Sequence, residues 1–232
     1  MAMTISFSIL LFQIIVLVIH AYFSFKVNTI MKKLPVEFYN RNDVVLIAKE
    51  LIGKIIITSF NNQVSSGRIV ETEAYIGLTD RASHSYGGKR TKRNEDMYAA
   101  GGTAYVYICY GIHHLFNVVT NKRDIPDAVL IRAVEPLTGI DVMQKRTGKI
   151  NGDYTLTKGP GNAAKALGIS KHHSGLNLRL HDIKIIDDGA FIKPSSIGIS
   201  KRIGVESSGN AALKPYRFYI KANPFVSSFP NK

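Results

Sequence analysis

The sequence predicts a single-domain α+β protein whose sheet is built from antiparallel hairpins rather than regular βαβ units. Three observations predict it. From Leu34 onward there is no internal repeat, low-complexity run or long Pro/Gly/Ser linker, and 232 residues suit one large domain. Runs dense in β-branched and aromatic residues are punctuated by glycines at turn spacing, most clearly in "GGTAYVYICYGIHHLFNVVT" at 101 to 120. Only two stretches carry helix signals with recognisable ends.

Taken in order, residues 5 to 25, "ISFSILLFQIIVLVIHAYFSF", are about as long as a membrane-spanning helix needs, although Gln13 and His20 interrupt them. They lack the basic n-region and small-residue cleavage site of a secretory signal. Lys32 and Lys33 follow, so an inserted segment would tether the rest of the chain on the cytoplasmic side. The alternative is a start at Met31, in "MKKLPVEFY". Either way, residues 1–33 stand apart from a domain at 34–232. "NDVVLIAKELIGK" reads as a helix with Asn42 as N-cap and Gly53 past its end. Strands are expected at Lys54 to Phe60 and Gly67 to Glu73. "GLTDRASHSYGGKRTKRNEDM" has no apolar period and reads as a long functional loop. Residues 103 to 120 then give two antiparallel strands with a turn near Tyr110 to His113. Alternation puts Tyr105, Tyr107 and Cys109 on one face, leaving Tyr110 at the tip and away from Tyr107. Further strands are expected at Ala128 to Val134 and Arg217 to Lys221, with a turn opening a helix in "GPGNAAKALGI" between them.

The 30 Lys+Arg outnumber 17 Asp+Glu, and a net charge of +13 suits a polyanionic partner: nucleic acid or an anionic membrane surface, with a merely basic soluble protein as the plain alternative. The single cysteine, Cys109, excludes an intramolecular disulfide, fits a reducing compartment and reads as a small buried hydrophobe. No Cys/His group has zinc-site spacing, and the adjacent pairs His113-His114 and His172-His173 lack a spaced third ligand, so neither a metal nor a cofactor is expected.

"RIVETEAYIG", at 68 to 77, holds two acids in a strand pattern. Alternation places Glu71 and Glu73 on one side, which an ordinary solvent-exposed face tolerates. Glu73, however, leads through "AYIG" into a loop with His84 and several Arg and Lys, a setting suited to work on a polyanion. Glu71 reads as a structural partner for an arginine of that loop, or as a hydrogen-bond acceptor on the sheet.

The blocks "VETEAYIG", "ASHSYGGKRTKRN", "GTAYVYICYG", "NVVT", "VLIRAVEP", "GPGNAAKALGI", and "RIGV" followed by "KPYRFYI" resemble, in order and spacing, the alkyladenine (3-methyladenine) DNA glycosylase family. The resemblance runs from about Leu34 to Ser228. It implies a curved, mostly antiparallel sheet with flanking helices and a protruding β-hairpin that inserts into DNA. It also implies a monofunctional, cofactor-free enzyme of base-excision repair, cytoplasmic, nucleoid-associated and monomeric, that flips damaged purines from double-stranded DNA and hydrolyses the N-glycosidic bond. By motif position Glu73 resembles the general base and Arg132 the basic residue near the attacking water. Tyr75, His84 and Tyr107 resemble the lining of the base pocket, and Asn117 its floor. Tyr110 resembles the side chain that fills the vacated stack.

The hairpin reading agrees on two points: it had put Tyr110 at a protruding tip and Tyr107 on the other face. One departure stands out. The position after the second glycine of "GPGNAAKALGI" is usually lysine in the family and is Asn162 here; Lys165, expected in the first helical turn, remains to attract an anion. A non-catalytic damaged-DNA-binding protein of the same fold is the rival reading.

Overall fold

A computed structural model describes residues 31–150 and 152–227. The expectation of a membrane anchor at residues 5 to 25 lies outside the described residues. Among those described, no helix is long and apolar enough to cross a membrane.

Among the described residues nine strands form one antiparallel sheet: β1 (Lys32–Lys33), β2 (Ile55–Phe60), β3 (Gln63–Tyr75), β4 (Ala104–Cys109), β5 (His113–Thr120), β6 (Asp127–Thr138), β7 (Ile183–Asp187), β8 (Ile197–Ser200) and β9 (Arg217–Ile220). The main path runs β1-β7-β2-β3-β6-β5-β4, and β9 joins β3 to β8. The sheet curls into a half-barrel, and short helices cover it: α1 (Val36–Tyr39), α2 (Val44–Glu50), α3 (Ile140–Thr147) and α4 (Pro160–Ala166). This is the single-domain α+β architecture expected.

Strand β3 is the spine. Its first half, Gln63 to Arg68, pairs with β2, whereas Glu71 to Glu73 pair with β9 on that edge, and β6 follows the other edge almost throughout. The β3–β6 register slips on either side of Glu71, leaving Val70 and Arg132 without an opposed Cα partner. Such a bulge bends a strand and re-aims side chains. Here it marks the place where β3 exchanges one neighbour for another.

Apolar residues of the sheet and helices, among them Tyr39, Ile47, Leu51, Ile56, Ile69, Phe116, Ile131 and Met143, close the main core. Each fully buried aliphatic contributes about 1.5–3 kcal/mol. A smaller cluster of Met97, Tyr98, Tyr105, Val119 and Ala128, with Tyr107 against it, underlies the long loop. Gly77 starts that loop where a Cβ would strike the Pro126 carbonyl at 2.2 Å, while its N–H donates to Asp127 Oδ1 at 2.8 Å. The loop is therefore anchored at its first residue rather than hanging free.

Several local expectations need correcting. The cap of α2 is Asp43, whose Oδ1 accepts from Leu46 N at 2.8 Å, and not Asn42. Both residues are good caps, and only the backbone geometry chooses. Lys165 lies in the last turn of the seven-residue α4, not its first, so it adds nothing to an anion site at that helix start. Cys109, at the end of β4, is half-buried rather than buried. Strands β1, β7 and β8 and helices α1 and α3 were not anticipated.

Candidate active site

The curl brings arginines to Glu71 and Glu73 from both neighbouring strands. Both carboxylates are fully buried, not the exposed pair an open sheet face allows. Arg132 of β6 donates Nε to Glu71 Oε1 at 2.9 Å and sets Nη1 3.3 Å from Glu73 Oε1. Arg217 of β9 donates Nε to Glu71 Oε1 at 2.7 Å, and the Ser227 amide donates to Glu71 Oε2 at 2.9 Å. Glu71 is thus the structural acceptor foreseen, but its arginines come from strands and not from the loop.

Glu73 is held differently. Tyr75 donates its hydroxyl to Oε2 at 2.8 Å, and the Ile203 amide donates to Oε1 at 2.8 Å. Burial drives the Glu73 pKa up, and Arg132, the Ile203 amide and the Tyr75 hydroxyl offset this only in part, so it stands above the usual carboxylate value. Burial also opposes charge on Glu71, but there Arg132, Arg217 and the Ser227 bond prevail and the pKa falls. One carboxylate is locked as a counter-ion. The other retains affinity for a proton.

The Tyr75 ring carries the site outward into a narrow cavity, which Ser83, His84, Tyr105, Tyr107 and Asn117 also line. His84 Nδ1 shares a 2.8 Å hydrogen bond with Tyr105 Oη, and its ring stands edge-on to Tyr107 with centroids 4.5 Å apart. Although His84 is open to solvent on one side, partial desolvation, then Arg93 and Lys89, lower its pKa and favour the neutral imidazole. Asn117 is buried, with Nδ2 held by the carbonyls of Tyr105 and Leu115. The four residues expected to line the base pocket, Tyr75, His84, Tyr107 and Asn117, therefore meet around one cavity, and Glu73 lies behind Tyr75, reached through a hydrogen bond.

Tyr110 stands apart from this group, at the tip of the β4–β5 hairpin and 88% exposed. The turn closes with Ile112 N donating to Cys109 O, and both Tyr110 (φ 51°) and Gly111 (φ 76°) are left-handed. That is the sign pattern of tight hairpin turns. An aromatic residue at positive φ costs about 1–2 kcal/mol. Exposing a strained aromatic serves no packing purpose in the folded chain. Arg93, in the basic loop, donates to Ile108 O at 3.2 Å and ties that loop to the hairpin.

Sequence reading missed four participants: Tyr105, Ile203, Arg217 and Ser227. Tyr105 had been placed on the Tyr107 face, so its signal was present. The other three meet the glutamates only through contacts 130 or more residues distant, which no local pattern encodes.

The sheet curls around a buried carboxylate behind an aromatic cavity, with an exposed aromatic on a nearby hairpin, and the sequence places the chain among DNA glycosylases. Methylpurine-DNA glycosylase is the family that matches, over residues 37–224, and the chain belongs to it. A protein of Clostridium perfringens (strain 13 / Type A), named "Putative 3-methyladenine DNA glycosylase", is 45% identical over 199 residues, covering 82% of this chain and 97% of its own. Proteins of the same name from Desulfitobacterium hafniense and Bdellovibrio bacteriovorus are 43% and 39% identical, covering 85% and 84% of this chain and 99% and 98% of their own.

Proposed function

We propose that the protein removes alkylated or deaminated purines, 3-methyladenine among them, from double-stranded DNA by flipping the nucleotide and hydrolysing its N-glycosidic bond. The observation that carries this reading is Glu73: a fully buried carboxylate with a raised pKa, hydrogen-bonded to a residue of the aromatic cavity. Enzymes that act on a base inside a duplex need a slot for the extruded ring and compensation for a few kcal/mol of unstacking. The cavity between Tyr75, His84 and Tyr107 offers the slot, and Asn117 at its base limits which exocyclic groups fit.

Hydrolysis then follows from Glu73. A water placed beside it attacks C1′ of the deoxyribose; its oxygen bonds to C1′, its proton passes to Glu73, and the glycosidic electron pair leaves with the purine. A cationic base such as 3-methyladenine departs without protonation, so the second carboxylic acid of most glycosidases is not required. The anionic Glu73 also opposes the positive charge developing on the sugar. Arg132 steadies Glu73 and Glu71 together, and Tyr110 occupies the vacated stack.

The reading extends to a monomeric, cytoplasmic protein working on nucleoid DNA. The test is incubation with a duplex bearing a single hypoxanthine or ethenoadenine, followed by alkali. Cleavage at the lesion supports a glycosylase, whereas tight binding to every lesion with no abasic product supports the non-catalytic rival.

A further inference from the structure

The two donors that hold Glu73 arrive from different parts of the chain, and one buried side chain braces both. Arg202 and Asp80 are sealed from solvent together. Arg202 Nη2 donates to Asp80 Oδ1 at 2.9 Å and to Ala211 O at 3.0 Å, while Nη1 donates to Asp80 Oδ2 and, at 2.9 Å, to Ala74 O. Its guanidinium lies over the Tyr75 ring, 4.6 Å from the centroid. Ala74 precedes Tyr75, and Ile203 follows Arg202. The hydroxyl and the amide that meet Glu73 are therefore mounted on the same guanidinium.

We propose that Arg202, clamped by Asp80, is a positioning residue that sets the two hydrogen bonds on Glu73 and ties them to the loop that carries His84. The proposal rests on the reading of Glu73 as the general base. Stability alone is a poor reason for such a pair, because exchanging a buried ion pair for apolar residues is often neutral or favourable. Geometry is a better one. A planar guanidinium can grip a carboxylate bidentately, donate to two carbonyls and stack on a ring at once, which an ammonium cannot. Asp80 sits near the start of the loop, and its Oδ1 also accepts from Ala82 N at 3.1 Å, so the clamp reaches the backbone two residues before His84.

The groups facing Glu73 are Arg132 on β6, Glu71 and Tyr75 on β3, Tyr107 on β4, Arg217 opposite it on β9, and Arg202. A loosened clamp leaves Arg132, Glu71, Tyr107 and Arg217 in place and weakens the donors from Tyr75 and Ile203. Both donors favour the carboxylate, so the Glu73 pKa rises and excision needs a higher pH.

The test is single-turnover release of 3-methyladenine, whose fixed charge removes leaving-group titration, from methylated DNA across pH. Asp80→Asn and Arg202→Lys are compared with wild type, with circular dichroism to establish folding and DNA affinity measured alongside. The acid limb is expected to move up by about one pH unit in each folded variant, roughly a tenfold loss below the limb, with affinity changed less than about twofold. A limb that stays in place in either folded variant overturns the proposal. Glu73→Gln separates the two ideas: if it still excises, the general-base reading fails; if it is inactive while the limb of the clamp variants is unmoved, only the positioning role fails.

Discussion

Glu71 and Glu73 lie two residues apart on one strand and share the guanidinium of Arg132, at 2.9 and 3.3 Å, yet they hold protons with opposite tendencies. The difference lies in their other neighbours. Glu71 has a second arginine, Arg217, and an amide on its far oxygen. Glu73 has neutral donors instead, a phenol and an amide, and one of them is shared with the cavity. Like carboxylates hold their protons differently because β3 passes between β6 and β9 at this point.

Glu71→Gln tests the structural half. It leaves two buried arginines with a neutral partner, and loss of one member of a buried pair costs about 3–5 kcal/mol. The expected outcome is a large drop in thermal midpoint, with excision by the folded fraction reduced much less than in Glu73→Gln. A Glu71→Gln protein as stable as wild type contradicts this role.

The opposed pKa shifts also predict how stability follows pH. Glu71 is more acidic folded than unfolded, so its contribution is present above the unfolded value of roughly 4.3 and is lost as pH falls through the folded value. Glu73 is the reverse: its contribution is present below the unfolded value and lost as pH rises through the folded one. The stability of wild type relative to Glu73→Gln should therefore decline as pH rises from about 4 toward neutrality. Denaturant titrations at stepped pH measure it, and a rising difference would contradict the shift.

Tyr110 and Tyr107 should fail differently. Tyr110→Ser lets an extruded base return without displacing a side chain, so its loss of excision should be largest for a well-paired lesion and smallest where a mismatch already weakens the stack. Tyr107→Ser should instead follow the identity of the lesion. Single-turnover rates for both variants on one lesion, paired and mismatched, decide the point; an equal fractional loss for Tyr110→Ser in both contexts would remove the wedge role.

The surplus of basic residues predicts binding to undamaged duplex that weakens steeply with salt, by roughly 0.9 log units per log unit of salt for each phosphate neutralised. Fluorescence anisotropy across salt concentrations measures the slope. A flat response would turn the basic surface away from nucleic acid.

The hairpin was legible because its signals are local: Gly101-Gly102 introduce two alternating runs and Gly111 separates them, and the turn fell within a residue of its expected place. Glu73 was legible as a candidate because its strand runs straight into the loop. The environment that distinguishes it from Glu71 was not. Arg217 and Ile203 approach from 146 and 130 residues away, across a sheet junction and a register slip that no period in the sequence announces. The four-residue β8 and five-residue β7 are too short for alternation to stand out from loop.

The central claim is that Glu73 performs the chemistry, and single-turnover excision by wild type and Glu73→Gln on the same damaged duplex, with affinity measured in parallel, tests it most directly. A general base is worth about 10²–10⁴ in rate, so Glu73→Gln should lose at least about a hundredfold while still binding the damaged site. Excision within about threefold of wild type, too small a loss for a missing base, would contradict the account.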